Sequence, residues 1–427
     1  MSPPPPASAD AFAEDADDGP AGGLVSPPHA WTMSGSAPRN TIDPIERKRR
    51  VTNDRAFRIT GDVTFGPRAR LALLLSSAPV PRVLRLSATS PEASAIAEAA
   101  VVLAAGGLVA FPTETVYGLG ARGLHAADVL RIFAAKERPL GHPLILHVDG
   151  EAMAMTLAAS WPERASRLAR AFWPGPLTLV VPRAAHVPDV ATGGLDTVGV
   201  RAPRHAVALA LVRAAGEPLA APSANAHMHV SPTTAAHVVR SLGDRVDLVL
   251  DAGPCAHGIE STVVDVTTEV PRVLRAGATS LEALRAVVPE IAYAAGSLTV
   301  DGGSARASPG LASRHYAPRT QVVLAERGAP VAAAALKAAR GHRRIGTIAW
   351  SEGAIMALDL ALRAGLTLAS SRTLPADADG YAQGLFAALH EADDASLDAL
   401  VIERVPGDPA WWAIADRLER AARAAEP

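Results

Sequence analysis

Two cations separated by one residue stand at the end of a predicted helix. Lys136 and Arg138 close an apolar-periodic segment that begins at Ala126, and Pro139, where a helix usually stops, follows them. Two cations held this close suit a triphosphate, because each phosphate oxygen can accept a charge-assisted hydrogen bond. An exposed helix end explains the same residues, since cations near a C-terminus interact favourably with the helix dipole. Spacing alone leaves both interpretations open.

Four other polar side chains stand where predicted strands end. Ser223 and Asn225 offer a hydroxyl and an amide to a ligand, although both residue types are also ordinary in turns. Arg201 presents a guanidinium, which binds a carboxylate through two hydrogen bonds in a way that lysine cannot copy. A surface strand end accounts for Arg201 equally well. His147 also ends an apolar strand, and a hydrogen-bonded core histidine is the simpler explanation there.

The segment that must position Lys136 and Arg138 runs from Gly106 to Val148. It contains, in order, a strand at Leu108–Phe111, a polar turn at 113–115, a helix at Ala126–Lys136 and a strand at Leu144–Val148. Pro112 ends the first strand, because proline has no N–H to donate to a neighbouring strand. Polar residues gathered at strand–helix junctions are typical of the site in an α/β protein.

Strands and helices alternate through most of the remaining chain, which predicts a twisted, open α/β sheet. Helices are predicted at Pro91–Ala105, 151–172, His205–Ala215 and Thr233–Leu242. Strands are predicted at Leu177–Val181, Val198–Arg201, Leu219–Ala221 and Val246–Asp251, with a hairpin of Thr262–Val266 and Val273–Leu274. A second α/β unit begins with a strand at Gln321–Leu324, a helix at Pro330–Arg340 and a strand at Ile345–Trp350.

Composition divides the 427 residues into four parts. These are a disordered Pro/Ala-rich extension at 1–82, a catalytic-type domain at 83–290, a linker at 291–320 and a C-terminal α/β domain at 321–427. The net charge of -2 gives no reason to expect a polyanionic partner, and the single cysteine excludes internal disulfides. The sequence contains no secretory-signal pattern and no apolar run of about 20 residues. These features predict a soluble cytoplasmic protein.

Several short motifs in the middle of the chain follow the order of one protein family. They are FPTETVYGLG, KERP, PLILHV, WPGPLT, LDTVGVRAP, APSAN, GIESTVVD and VLRAG, which run from Phe111 to Gly277. On these motifs the chain resembles the threonylcarbamoyl-AMP synthases and their YrdC-like domain. The sequence His315-Tyr316-Ala317-Pro318 resembles the linker of the longer family members. The resemblance implies a twisted, open mixed sheet with flanking helices, followed by a smaller Rossmann-like α/β domain.

The resemblance also implies a site for each of two substrates. The positions that correspond to ATP-binding residues are Lys136, Arg138, Thr197, Ser223, Asn225, Ser231, Arg275 and Tyr316. The positions that correspond to the L-threonine pocket are Thr113, Thr115, His147, Arg201 and Ser261, and the sequence leaves open which threonine faces the ligand. Lys136 and Arg138 are also the candidate catalytic cations. His142 departs from the family, which more often has asparagine there.

The implied reaction converts L-threonine, bicarbonate or carbon dioxide, and ATP into threonylcarbamoyl-AMP and pyrophosphate. Its product is the activated precursor of N6-threonylcarbamoyladenosine in tRNA, so tRNA and the downstream threonylcarbamoyl-transferase are implied partners. Magnesium is expected to arrive with ATP, held by phosphates and water. The alternative is an RNA-binding YrdC-like module without synthase activity, whose binding would depend on salt and not on threonine.

Three other functions fit the sequence less well. Gly118, Gly120 and Gly123 match a dinucleotide-binding fingerprint, but Pro112 and the polar turn separate them from the strand that they should follow directly. We therefore expect these glycines to permit tight turns and close backbone approach rather than to bind NAD. A P-loop motif is absent from the sequence. One cysteine argues against the Cys-rich zinc motifs of carbamoyl-transfer enzymes of hydrogenase maturation, and no protein-bound zinc is expected.

Overall fold

A computed structural model describes residues 81–294, 316–340 and 343–423. All of them belong to one compact unit that spans Phe65–Pro427. The predicted N-terminal extension lies outside the described residues, apart from its last two positions, and so does most of the predicted linker, including His315. Within the described ranges, no helix has both the length and the apolar character that crossing a membrane requires.

The larger sheet has eleven strands among the described residues and mixes parallel with antiparallel pairs. In chain order they are β1 (Arg82–Arg85), β2 (Val109–Phe111), β3 (Gly118–Arg122), β4 (Ile145–His147), β5 (Leu177–Pro182), β6 (Thr197–Arg201), β7 (Leu219–Ala220), β8 (Leu248–Asp251), β9 (Thr262–Asp265), β10 (Arg272–Arg275) and β11 (Ala292–Tyr293). Their spatial order is β1-β8-β2-β3-β7-β4-β6-β5-β9-β10-β11. The predicted hairpin of β9 and β10 is confirmed, since these strands pair antiparallel.

Eight α-helices accompany this sheet in the described part of the chain. They are α1 (Ala93–Ala104), α2 (Ala126–Lys136), α3 (Glu151–Thr156), α4 (Glu163–Phe172), α5 (Asp189–Thr192), α6 (Ala206–Ala215), α7 (Ala235–Leu242) and α8 (Leu281–Val287). Successive side chains of a strand point to opposite faces of the sheet. Alternate residues of β2 accordingly belong to two separate apolar clusters. Ala110 packs with Ile132 of α2, whereas Val109 and Phe111 pack with Leu211 of α6. Both faces of the sheet are therefore covered by helices.

The C-terminal residues form a second, four-stranded sheet in which every pair of neighbours is parallel. Its elements are β12 (Gln321–Ala325), α9 (Pro330–Ala338), β13 (Ile345–Ala349), α10 (Glu352–Arg363), β14 (Ser370–Thr373), α11 (Ala378–Asp394), β15 (Ala399–Glu403) and α12 (Trp412–Ala422). The strand order is β12-β15-β13-β14. A parallel sheet with a helix after each strand is the α/β arrangement that the sequence predicts.

One apolar cluster joins the two sheets. Val116, Val230 and Ile259 from the first part of the chain pack in the same cluster as Tyr381 and Phe386 of α11. Gly258 lies directly against α11, because a Cβ at this position would stand 2.6 Å from the Ala382 carbonyl oxygen. Gly258 also has a positive φ of 70°, which suits glycine. The C-terminal domain thus contacts the loop that leads into β9.

Two expectations from the sequence differ from the structure. The segment of Gly118, Gly120 and Gly123 does not form tight turns, because 118–122 is the strand β3, antiparallel to β2. The expected close approach does hold, since a Cβ on Gly120 would come within 2.7 Å of the Phe111 ring. The single helix predicted over 151–172 is two helices, α3 and α4, separated by residues 157–162. Pro162 is the N-cap of α4, since proline is tolerated at the start of a helix but not in its interior.

Candidate functional site

A pocket gathers polar side chains from connections that lie far apart in the sequence. Its lining residues are Thr113, Thr115, Val116, Gly118, Arg138, Ile145, His147, Arg201, Ala221, Pro222, Ser223, Glu260, Ser261, Arg275 and Tyr316. Most of the residues predicted from the sequence are therefore found together. The four exceptions are Lys136, Thr197, Asn225 and Ser231, which do not line this pocket.

The two threonines of the turn after β2 make different hydrogen bonds. The Thr113 hydroxyl donates to the Val116 carbonyl oxygen at 2.6 Å, and the two threonine hydroxyls are 2.8 Å apart. Because the Thr113 proton is already used, Thr115 must donate within that pair. The Thr115 oxygen keeps its lone pairs as acceptors, so it is the better candidate to receive a hydrogen bond from a ligand. Thr113 holds the turn in shape.

Arg201 at the end of β6 forms a buried ion pair that the sequence did not predict. Its Nη2 lies 2.9 Å from Oε1 of Glu114, and both side chains are less than a tenth exposed. Arg201 also donates Nε to the Gly175 carbonyl oxygen at 3.3 Å. Burial, the largest single influence, would raise the pKa of Glu114, but the positive charge of Arg201 and the nearby N–H donors together outweigh it, so the pKa lies below its ordinary value. Glu114 is therefore ionised at neutral pH and holds the guanidinium in place.

His147 ends β4 directly beside Arg201 in the register of β4 and β6. Its side chain is buried, and its ring stands nearly perpendicular to that of Phe111, with 6.2 Å between the ring centroids. Burial, assisted by the positive charge of Arg201, lowers the pKa of His147 to about 3. His147 therefore enters the pocket as a neutral imidazole, which can donate or accept one hydrogen bond per ring nitrogen.

Lys136 is fully buried and acts on the loop that follows β7 rather than on the pocket itself. Its ammonium group donates to the backbone carbonyls of Ser223 and Asn225. Burial and, to a smaller extent, the neighbouring charges of Arg138 and Arg245 place the pKa of Lys136 well below its ordinary value. Lys136 consequently fixes the loop that carries Ser223, whose side chain lines the pocket.

Asn225 and Thr197 take positions at the margin of the site. The Asn225 amide donates to the carbonyl oxygens of Ala226, at 2.9 Å, and His229, at 2.8 Å, while its buried Oδ1 finds no hydrogen-bond partner among the described residues. Asn225 thus shapes the same loop as Lys136. Thr197 lines a separate small cavity that shares only Ile145 with the main pocket.

The wall opposite this loop is built from Ser261 and Arg275. Arg275 donates Nη2 to the Ser261 carbonyl oxygen at 2.9 Å and to its hydroxyl at 3.1 Å. The Ser261 hydroxyl also lies 2.8 Å from the hydroxyl of Thr178 on β5. Gly277 permits this close packing, because a Cβ there would lie 2.4 Å from the Glu260 carbonyl oxygen. A larger residue at 277 would push the backbone at Gly277 away from the backbone at Glu260 and Ser261.

Glu260 and Tyr316 complete the pocket, and sequence reasoning missed Glu260. The Glu260 carboxylate accepts a hydrogen bond from the Ser231 hydroxyl at 2.6 Å and pairs with Arg417 of α12 at 3.1 Å. Tyr316 is buried with a positive φ of 58°, and its ring stacks on Phe386 at 5.7 Å. Ser231 therefore does not line the pocket itself but holds Glu260, which does.

The charges of the pocket favour an anionic ligand. Among the described residues, Arg138, Arg201 and Arg275 line it together with one carboxylate, Glu260, which is paired with Arg417; Arg201 is itself paired with Glu114, so the excess charge comes from Arg138 and Arg275. An excess of guanidinium groups in a confined cleft raises the local concentration of anions. Among the described residues, no group of three or more His, Cys, Asp and Glu side chains is placed to hold a metal ion.

Comparisons with known proteins identify relatives of both parts of the chain. Residues 101–277 match a family described as "Telomere recombination", and residues 279–423 match "Threonylcarbamoyl-AMP synthase, C-terminal domain". The chain is 37% identical to the threonylcarbamoyl-AMP synthase of Bacillus subtilis over 79% of this chain and 94% of that protein. It is 48% identical to the Pyrococcus abyssi enzyme of the same name over 52% of this chain and 65% of that protein.

A solved structure extends these similarities to the fold. The crystal structure of P. abyssi Sua5 complexed with L-threonine matches with a TM-score of 0.73 and 35% sequence identity. The match covers 80% of this chain and 97% of that one. The similarity therefore includes both sheets and the elements that carry the pocket.

Proposed function

The chain belongs to the threonylcarbamoyl-AMP synthase family, and we propose that its pocket makes threonylcarbamoyl-AMP and pyrophosphate from L-threonine, bicarbonate or carbon dioxide, and ATP. The observation that carries this proposal is the pocket itself, which combines three guanidinium groups with hydroxyl acceptors and a neutral histidine. The matching P. abyssi structure contains L-threonine, which supports threonine as one ligand of this pocket. RNA binding without synthase activity is less well supported, because the relatives are named as synthases.

Threonine is assigned to the part of the pocket around Arg201. The guanidinium is held from one side by Glu114 and can bind the substrate carboxylate with its remaining N–H groups. Neutral His147 and the Thr115 oxygen supply the hydrogen-bond acceptors that an amine or a hydroxyl group requires. Ser261, bonded to Arg275, links this region to the ATP side.

ATP is assigned to the side of the pocket formed by Arg138, Ser223, Arg275 and Tyr316. In the reaction, the amine of threonine captures carbon dioxide as a carbamate, whose oxygen attacks the α-phosphorus while pyrophosphate leaves. These steps require no covalent bond to the enzyme, so catalysis comes from placing the carbamate in line and from stabilising phosphate charge. Arg138 and Arg275 are placed to provide that charge, and Lys136 contributes by fixing the loop of Ser223.

Magnesium is proposed to enter as the ATP complex. The one carboxylate that lines the pocket, Glu260, is already occupied by Ser231 and Arg417. Phosphate oxygens and water are the ligands that magnesium ordinarily uses in such complexes. Action in the cytoplasm, and contact with tRNA and with a threonylcarbamoyl-transferase, remain predictions from the sequence and the family.

The test is pyrophosphate release from ATP, L-threonine and bicarbonate, with each component omitted in turn and product mass measured. We expect release only with all three present, together with the mass of threonylcarbamoyl-AMP. Release with a different amino acid would change the assigned substrate and keep the chemistry. A folded protein that releases no pyrophosphate but binds RNA in a salt-dependent, threonine-independent manner would refute the proposal in favour of the RNA-binding alternative.

A further inference from the structure

A fully buried arginine of the C-terminal domain reaches the wall of the pocket. The side chain of Arg417, on α12, is 0% exposed. Its guanidinium donates to the Glu260 carboxylate through Nε at 3.2 Å and Nη2 at 3.1 Å, and Nη1 donates to the Ala276 carbonyl oxygen at 2.6 Å. The same group lies over the Tyr316 ring, 5.3 Å from its centroid. Burying a cation is costly unless its N–H groups are paired, so these contacts fix its position.

Besides Ala413 and Asp416 on its own helix, Arg417 contacts three residues that line or directly adjoin the pocket. Glu260 lines the pocket and accepts a hydrogen bond from Ser231. Ala276 directly follows Arg275 in the chain. Arg275 and Tyr316 both line the pocket. One side chain of the C-terminal domain therefore connects the two ends of the β9–β10 hairpin, at Glu260 and Ala276, with Tyr316.

A second helix of the C-terminal domain supports the same wall. His390 of α11 lies within hydrogen-bond distance of the Ser231 carbonyl oxygen through Nε2, at 3.2 Å. The backbone of α11 also lies against Gly258, two residues before Glu260. The segment that carries Glu260 is thus held by α11 on its backbone and by α12 on its carboxylate.

We propose that Arg417 is a positioning residue for ATP, and that the C-terminal domain completes the nucleotide side of the pocket through it. This inference rests on the proposed function, because that function assigns this wall to ATP. The threonine side takes its geometry from other groups, namely the Glu114–Arg201 pair and the ends of β4 and β6. Loss of Arg417 should therefore affect the two substrates unequally.

Removing the guanidinium leaves the Glu260 carboxylate buried without its cation. A buried carboxylate without a neighbouring cation either moves towards water or takes up a proton. Either change at Glu260 would displace the Ser231 hydroxyl that is bonded to it. Displacing a substrate-positioning group by about 1 Å can lower the rate on the order of 10²-fold. A lysine at this position keeps the charge, but a single ammonium cannot reproduce the forked contacts to Glu260 and Ala276.

The experiment compares Arg417→Met and Arg417→Lys with the wild-type full chain. Pyrophosphate release gives kcat and KM for each substrate, and calorimetric titration with ATP measures binding without turnover. We expect kcat/KM for ATP to fall on the order of 10²-fold in Arg417→Met, with a smaller loss in Arg417→Lys. KM for threonine at saturating ATP should stay near the wild-type value in both.

Glu403→Gln is the matched control for damage to the C-terminal domain. Glu403 is also a buried carboxyl side chain of the C-terminal domain, but it accepts hydrogen bonds from the backbone N–H groups of Gly328, Trp350 and Ser351. This control should lower the unfolding temperature and leave KM for ATP unchanged. If Arg417→Met keeps the wild-type KM and Kd for ATP, or if the control raises KM for ATP equally, the positioning role is overturned.

A double variant keeps the test decisive if Arg417→Met fails to fold. Glu260→Gln/Arg417→Met removes both charges together, which is far less destabilising than leaving one of them buried alone. It should fold and still bind ATP more weakly than wild type, and unchanged ATP binding in it would refute the inference. A wild-type chain that binds ATP but releases no pyrophosphate would refute the proposed function alone.

Discussion

Arg201→Lys tests whether the carboxylate of the substrate is bound where the structure places it. Lysine keeps the positive charge beside Glu114, so the buried carboxylate keeps a cation, but it loses the forked geometry that serves both Glu114 and a ligand. Hydrogen bonds to charged groups contribute roughly 1.5–3 kcal/mol each. The loss of one such bond should therefore raise KM for threonine by about 10- to 100-fold.

The assay is pyrophosphate release at saturating ATP with varied L-threonine, repeated with threonine amide, which has no carboxylate. Wild type should strongly prefer threonine, and Arg201→Lys should lose most of that preference while KM for ATP changes little. A second variant, Arg201→Met/Glu114→Gln, removes both charges and should abolish the preference without leaving a buried charge unpaired. An unchanged KM for threonine in correctly folded Arg201→Lys would refute this assignment of Arg201.

Three further predictions concern the loop after β7, the neutral histidine and the contact between the domains. Lys136→Ala should abolish turnover and preserve the fold, because Ser223 loses its anchor; circular dichroism checks the fold, and wild-type pyrophosphate release would contradict the argument. The pKa of His147 is lowered to about 3, so protons bind the unfolded chain preferentially, and stability should fall by up to ~1.4 kcal/mol per unit as pH drops from about 6.5 towards 3. His147→Gln should reduce that slope in urea titrations, and an identical pH dependence would show that His147 is not buried in its neutral form. Gly258→Ala should cost about 1–3 kcal/mol, because its Cβ would meet the backbone of α11, and an unchanged unfolding temperature would contradict that packing.

Local sequence was sufficient to predict helices and strands that are marked by their own apolar periodicity and by residues at their ends. The bounds of α2 match the prediction, since its apolar period, its first-turn Asp128 and Pro139 just beyond its end agree with one another. β3 was missed because its glycines have low strand propensity, and only the packing against Phe111 and the neighbouring strand explains them. The break between α3 and α4 carried a signal, Pro162, that the apolar period on either side concealed.

The residues of the pocket were likewise harder to predict where they depend on partners far away in the sequence. The residues that line it could be proposed only because motifs were matched to a family, since composition left each of them ambiguous. Glu114 and Glu260 were missed because their partners Arg201 and Arg417 lie far along the chain. Arg417 itself lies in an amphipathic helix of mixed charge, where an arginine ordinarily faces solvent. Its burial depends on the docking of two domains, which no local pattern encodes.

The apolar cluster that joins the two sheets also has a thermodynamic consequence. Val116 and Tyr316 belong to that cluster and line the pocket as well, so occupancy of the pocket and docking of the C-terminal domain share side chains. Energetic coupling of this kind is reciprocal: the free energy that docking adds to ligand affinity is the free energy that the ligand adds to docking. We therefore expect bound substrate to stabilise the docking of the C-terminal domain, so that amide hydrogens in α11 exchange more slowly when the pocket is filled.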